Sequence, residues 1–358
     1  MQGSNERGSR VPELRYACRV LAERASLPAS FAALALVATG CRTAGDGASA
    51  DAAATEDPVE LLSHEAAAPA TTVDAGALVE DHRAHAERCG RGDLDACVGL
   101  GVDYELGRGT ASDPKRAAQT YDSACKNGAV LGCLDLGQLY DRGAGVRRDP
   151  AAAAQLYARA CEGGEGTACN YLGVDFMDGV GVAHDDVRAG AMFSRACEAG
   201  EAEGCTNLGY LRAVGRGVPK DGRLAVELYA RGCSGDSAQG CHNLAFRYDA
   251  GRDAPKSARR AVALYDKACT LGYAPSCGNL GALYEQGAGI PRDDDKALGL
   301  YAKACAMGDA AGCNGVGRLY EAGLGVAKDR GKSRTYYERA CDGGNESGCT
   351  NLKDLDTR

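Results

Sequence analysis

A cysteine can act as a nucleophile, a metal thiolate or half of a disulfide, and its spacing and partners decide which. Sixteen of the 18 cysteines in this 358-residue chain form eight pairs: Cys89 and Cys97, Cys125 and Cys133, Cys161 and Cys169, Cys197 and Cys205, Cys233 and Cys241, Cys269 and Cys277, Cys305 and Cys313, and Cys341 and Cys349. The two members of a pair stand eight residues apart, and the pairs recur every 36 residues without slippage. Zinc pairs normally stand about two to four residues apart and come with histidines, whereas only His184 and His242 lie within the array. Buried free thiols and disulfides both fit the spacing.

A fixed period of this length marks a repeat array, in which each unit buries its apolar face against its neighbours. Before the first cysteine of a pair the apolar residues have helical spacing, as in Ala153, Leu156, Tyr157, Ala160 and Cys161, and again in Ala261, Leu264, Tyr265, Ala268 and Cys269. This is the stripe of an amphipathic helix, helix B. Asp113, Asp149, Asp185, Asp221, Asp293 and Asp329, with Ser257 in the remaining unit, precede it as caps. Pro114 and Pro150 take the first helical position. A glycine three residues past each first cysteine, Asp236 excepted, ends helix B. A second helix, A, follows. Counting from the second cysteine, it repeats Leu at +3, Gly at +4 and Tyr at +7, all on one face at roughly 100° per residue. The paired cysteines therefore sit on facing ends of an antiparallel helical hairpin, a geometry that a disulfide can bridge.

The fold class that follows is all-α, an α/α solenoid of 36-residue helix-turn-helix units stapled by hairpin disulfides, with seven full units and terminal cap helices in residues 75–358. Helices packed roughly 9 to 10 Å apart would make an elongated, curved rod. Eight disulfides require an oxidising compartment. In agreement, Arg15, Arg19 and Arg24 precede an apolar stretch from Leu27 to Thr39, so residues 1–40 read as a signal peptide. The ending Val37-Ala38-Thr39-Gly40-Cys41 resembles a bacterial lipoprotein box that lipidates Cys41; an ordinary cleaved signal is the other reading. Residues 41–74 are Ala-rich and acidic and read as a tether. The chain carries a formal charge of −8, which argues against nucleic acid as a partner and against membrane attachment except through the N-terminal lipid.

The unit Cys-x-x-Leu-Gly-x-x-Tyr-x-x-Gly-x-Gly-Val-x-x-Asp-x-x-Lys/Arg-Ala-x-x-Leu-Tyr-x-x-Ala-Cys, running through residues 75–355, resembles the cysteine-rich branch of the Sel1-like repeats, typified by the Helicobacter cysteine-rich proteins. The resemblance implies a tetratricopeptide-like superhelix, hairpin disulfides and an adaptor role outside the cytoplasm. Arg42 after the lipidation cysteine would direct such a protein to the outer membrane of the cell envelope. Three residues depart from the unit: Arg212 for the helix A aromatic, Ala245 for its glycine and Asp253 for a loop glycine. Units four and five are therefore expected to pack less regularly.

Some members of the group carry a β-lactamase label. A serine β-lactamase needs Ser-x-x-Lys with Ser-Asp-Asn and Lys-Thr-Gly elements. Ser112-Asp113-Pro114-Lys115 matches the first by spacing but sits at the ordinary loop-to-helix junction, and neither supporting element occurs. Paired cysteines and scarce histidines leave little for a cysteine nucleophile or a Ser/His/Asp arrangement. His184-Asp185-Asp186 reads as a solvated loop, and His82 and His85 as surface residues on the first cap. No enzyme, metal or cofactor is expected. Positions +2, +5 and +9 of helix A point away from its Leu/Gly/Tyr face, onto the face that lines the concave groove in the solenoids it resembles. They include Tyr171, Tyr210 and Phe246, with Asn207, Asn243 and Asn279 aligned in three successive units. Aromatics beside aligned amides suit an extended peptide or protein partner, bound by a monomer. The same asparagines could instead brace neighbouring units, and a purely structural envelope spacer is a third reading.

Overall fold

The computed structural model describes residues 75–357. Cys41, the apolar stretch and the tether lie outside the described residues. Sixteen helices follow one another: α1 (Ala75–Gly90), α2 (Leu94–Leu106), α3 (Pro114–Lys126), α4 (Val130–Arg142), α5 (Pro150–Glu162), α6 (Gly166–Asp178), α7 (Asp186–Glu198), α8 (Ala202–Val214), α9 (Gly222–Ser234), α10 (Ala238–Ala250), α11 (Ala258–Thr270), α12 (Ala274–Gln286), α13 (Asp294–Ala306), α14 (Ala310–Ala322), α15 (Arg330–Asp342) and α16 (Glu346–Thr357). Even-numbered helices are helices A and odd-numbered ones helices B. Units one to seven are the pairs α2–α3 to α14–α15, with α1 and α16 at the two ends. Each helix packs chiefly on its sequence neighbours, and successive helices A also touch directly, as α6 does α8 and α8 does α10. Among the described residues no strand forms, and no helix is long and apolar enough to cross a membrane.

The expected local signals act where the sequence puts them. The side chains of Asp113, Asp149, Asp185, Asp221, Asp293 and Asp329 accept from backbone N–H groups in the first turn of helix B, as does Ser257. This satisfies donors that would otherwise be orphaned. The glycines after helix B have φ between +83° and +100°, and Asp236 takes the left-handed conformation in their place at +63°.

Of the two states open to the cysteines, the structure shows the disulfide in every unit. Cys89 is bonded to Cys97, Cys125 to Cys133, Cys161 to Cys169, Cys197 to Cys205, Cys233 to Cys241, Cys269 to Cys277, Cys305 to Cys313 and Cys341 to Cys349, with Cα atoms 4.4 to 4.8 Å apart. Each bridge fastens the end of one helix B to the start of the next helix A. The second cysteine of a pair lies in the first turn of helix A, and Cys133, Cys169, Cys241 and Cys277 are buried there, at 0 to 4% exposure. At the C-terminal end Cys349 closes the last bridge onto α16. Units are joined further by cations on helix B: Arg159, Arg195, Arg231 and Lys267 donate to the carbonyls of Cys125, Cys161, Cys197 and Cys233 in the preceding helix B, at 2.7 to 3.1 Å. They add a cation to helix C-terminal carbonyls that also accept the backbone N–H of the residue ending the helix, where the dipole favours positive charge.

The core departs from expectation in one respect. The ring buried in every unit belongs to helix B: Tyr121, Tyr157, Phe193, Tyr229, Tyr265, Tyr301 and Tyr337. Each except Tyr265 packs on the helix A glycine of its own unit, where an added Cβ would come within 2.3 to 3.1 Å of the ring, from Gly101 to Gly317. The +7 aromatics of helix A, by contrast, are mostly half-buried: Tyr104, Tyr140, Phe176, Tyr248 and Tyr284. Position +6 is buried instead, as at Leu139, Leu211 and Leu319. Helix A has a helix B on either side and another helix A beside it, so more than one of its faces is covered. The +7 rings carry cations from the first turn of the next helix: Arg116 over Tyr104, Arg188 over Phe176, Arg260 over Tyr248, Lys296 over Tyr284 and Lys332 over Tyr320. Where Arg212 replaces the ring, the position facing it in sequence register is Leu224.

The irregularity expected of units four and five is local. Asp253 adopts φ +62° like the loop glycines it replaces. Its carboxylate occupies the space that a side chain at Gly222 would need, within 2.2 Å, and pairs with Arg247 at 2.8 Å. Glycine at the first position of α9 is what lets an aspartate stand in the loop.

Candidate interaction surface

Helix A presents the candidate residues at three depths. At +5, Tyr210 on α8 and Phe246 on α10 stand in the same register of adjoining helices and are 43% and 45% exposed. Val214, one turn beyond Tyr210, is exposed too. These three make an apolar patch on two helices that touch. Large exposed apolar groups grouped in this way are uncommon on a monomer's surface and mark places of contact.

The +2 residues lie deeper than a single-faced helix would put them. Tyr171 packs against the core, its ring 5.3 Å from that of Tyr157. Asn207, Asn243 and Asn279 are half-buried. Asn207 donates to the Oδ1 of buried Asn170 at 2.8 Å, and the pair Asn351 and Asn314 repeats that bond between α16 and α14 at 2.9 Å. Asn207 thus braces two helices A, leaving part of its amide for other contacts. Asn279 lies beside the Tyr265 hydroxyl and lines a recess of about 250 Å³ with Pro275, Ala282, Asn314 and Arg318. Gly278 and Gly315 line the same recess.

Three polar groups were not singled out as part of this surface by the pattern. Asp175 on α6 takes the +6 position that is leucine in units two, four, six and seven. It is only 8% exposed and its Oδ2 has no hydrogen-bond partner. Burial, and then the charges of Asp141 and Asp178, push its carboxyl up to about 8. Asp103 takes the same position on α2 and is held by His85 at 2.7 Å, with His82 3.4 Å away. An acid in a leucine register was the available signal for both. His242 bonds Ser276 through Nδ1 at 2.8 Å between the rings of Tyr265 and Tyr273. Burial lowers its pKa to about 4, so the ring is neutral and serves as a core side chain.

The residues considered for catalysis are occupied structurally. The Ser112 hydroxyl donates to the Glu105 carbonyl, and Asp113 caps α3. His184 is exposed, its Nδ1 2.8 Å from the Met177 carbonyl oxygen. Among the described residues no cluster is placed to hold a metal ion.

The Sel1 repeat model matches seven consecutive segments, residues 94–128, 130–165, 166–201, 202–237, 238–273, 274–309 and 310–345. Among solved structures, the chain is similar to a protective antigen of uropathogenic Escherichia coli displaying an SLR fold, at 25% identity over 83% of this chain and 67% of that one, with a TM-score of 0.65. It is similar to a Sel1 repeat protein from Oxalobacter formigenes at 27% identity over 68% and 96% of the two chains, TM-score 0.61. Helicobacter pylori cysteine-rich protein B matches at 31% identity over 37% of this chain and 96% of its own, with a TM-score of 0.32. No curated protein matches the chain.

Proposed function

Because the chain belongs to the Sel1 repeat family, whose members are generally protein-interaction scaffolds, we propose that it is an extracytoplasmic adaptor that binds a peptide or protein segment along the outward flank of its helices A. The observation that carries this reading is the pair Tyr210 and Phe246, exposed in one register on adjoining helices. Rigid aromatic side chains give contact area at low entropic cost, and the amides of Asn243 and Asn279 lie near enough to the surface to pair with a partner's backbone. Eight disulfides suit an oxidising environment, and lipidation at Cys41 would hold the array at the envelope, with the outer membrane as the destination.

A purely structural spacer is the second reading, favoured by the bonds Asn207–Asn170 and Asn351–Asn314 that tie helices A together. Affinity capture from native envelope with the wild-type chain and with Tyr210→Ser/Phe246→Ser decides between them. A partner held by the first and lost by the second, with circular dichroism and melting unchanged, supports the adaptor. Equal retention moves the site elsewhere. Asn207→Asp tests the brace: it replaces the donor with a charge facing the Asn170 carbonyl oxygen, so a lowered melting temperature is expected.

A further inference from the structure

Charge is divided between the two helix series. The eight helices A carry five Lys/Arg against fourteen Asp/Glu, and the eight helices B nineteen Lys/Arg against thirteen Asp/Glu. The imbalance on helices A has a focus beside the aromatic patch. On α6, which touches α8, the buried Asp175 has an unpartnered carboxylate oxygen. Asp178 follows one turn later at the exposed end of the helix. Asp141 on α4 contributes a third carboxylate close enough to raise the cost of ionising Asp175, and accepts from the Tyr157 hydroxyl of α5 at 2.6 Å.

Most cations of the neighbouring helices are engaged elsewhere: Arg142 pairs with Glu105, Arg188 lies over Phe176 and Arg212 donates to the Pro219 carbonyl. Arg216 pairs with Asp186 and donates to the Met177 carbonyl, and its charge reaches Asp178 and Tyr210 as well, so it balances part of the acidic group. Asp141 and Asp178 thus lie close enough to act on Asp175, and Asp178 and Tyr210 share Arg216 as a neighbour; of the three carboxyl groups, Asp175 is buried without the partner that Asp103 has in His85 at the same repeat position. A cation docked beside it would favour the ionised form of Asp175, which burial and the charges of Asp141 and Asp178 otherwise hold protonated.

We propose that the flank of helices A from unit two to unit five docks a basic–apolar segment, its Lys or Arg side chain meeting Asp141, Asp175 and Asp178 and its neighbouring aromatic or aliphatic side chain lying on Tyr210, Val214 and Phe246. This rests on the adaptor reading and adds the chemistry of the occupant. Opposite charges speed and orient the encounter, and the apolar contact supplies most of the lasting affinity.

The test is selection of a displayed library of random twelve-residue peptides on the full chain, followed by fluorescence anisotropy with the best-enriched synthetic peptide. The expected result is enrichment of Lys or Arg next to an aromatic or large aliphatic residue. Binding should weaken about tenfold or more between low and physiological salt, as a charge-steered contact does. Asp178→Asn, at an exposed position, and Asp141→Asn, which keeps an acceptor for Tyr157, should together abolish the basic preference and leave the apolar one. Enrichment of acidic or uncharged peptides that still need Tyr210 and Phe246 would overturn this inference and leave the adaptor reading standing. No enrichment, or equal binding by Tyr210→Ser/Phe246→Ser, would overturn both.

Discussion

In units one, two, six and seven the buried tyrosine of helix B donates its hydroxyl to an acid on helix A: Tyr121 to Glu105, Tyr157 to Asp141, Tyr301 to Glu285 and Tyr337 to Glu321, at 2.6 to 3.1 Å. Units three to five lack this tie. In units three and four the acid's place is taken by Met177 and Ala213, while unit five keeps an acid, Asp249, that its tyrosine does not bond. The ring facing Met177 is Phe193, which has no hydroxyl to satisfy, and the Tyr265 hydroxyl makes no bond to Asp249, with the Asn279 amide beside it instead. The middle of the array gives up a repeated polar brace, and in the same units, or next to them, lie the exposed aromatics and the unpartnered Asp175. The outer units keep the packing brace, and the middle ones carry the surface proposed for contact.

The largest effect expected is general. Reducing all eight disulfides should lower the unfolding midpoint of the whole array, since each nine-residue loop contributes roughly 2 to 3 kcal/mol in the chain-entropy model. The comparison is made by replacing Cys197 and Cys205 with Ala and, separately, Cys305 and Cys313. Non-reducing peptide mapping checks that the remaining bridges are intact, and the middle deletion should cost more, because its unit lacks the tyrosine–acid bond. Equal losses would make the brace irrelevant to stability.

Asp175 comes next. Its folded pKa of about 8 lies above the ordinary 3.8, so the native state holds a proton that the unfolded chain releases. Stability therefore falls as pH rises from about 4 to about 8, by at most roughly 1.4 kcal/mol per pH unit, and levels off above that range. Asp175→Leu, which restores the residue of the other units, should flatten this slope and raise the midpoint in urea at pH 8. An unchanged pH profile would show that the carboxyl is satisfied.

A smaller effect is expected at the glycine seat of the buried ring. Gly317→Ala would set a methyl within 2.6 Å of the Tyr337 ring and should cost about 1 to 3 kcal/mol by overpacking. Ala245→Gly, in the middle, relieves no such clash and should cost about 1 kcal/mol of helix propensity. The finest test is a pair of hydroxyl deletions followed by urea melts. Tyr301→Phe should lose about 1 kcal/mol with its bond to Glu285, whereas Tyr265→Phe should be neutral or slightly stabilising. The same loss in both would erase the distinction between the regions.

What repeats was legible in the sequence, because repetition averages out the noise of any single unit. The cysteine period, the aspartate caps and the glycine stops gave helix ends that the structure confirms, and facing helix ends gave the disulfides. Depth was read less well. Treating helix A as having one buried face put Tyr171 and Asn207 toward the groove and the +7 rings in the core. The structure buries +6 and half-buries +2, since adjoining helices A cover each other's flanks. Tyr210 and Phe246 were identified as outward because +5 escapes that cover. The leucine register at +6 also breaks at Asp175, a departure as visible in the sequence as that of Arg212.

One consequence follows from the spacing of the bridges. Sixteen cysteines can be joined in pairs in roughly two million ways, extending the count of 105 for eight. Here every native bridge spans eight residues, and after Cys97 the next cysteine, Cys125, lies more than three times as far along the chain. As the polypeptide emerges N-terminus first, each first cysteine of a pair therefore meets its correct mate before any later cysteine comes within reach. Oxidation can proceed unit by unit without a shuffling step to correct it, and the order of synthesis itself selects one pairing from the millions.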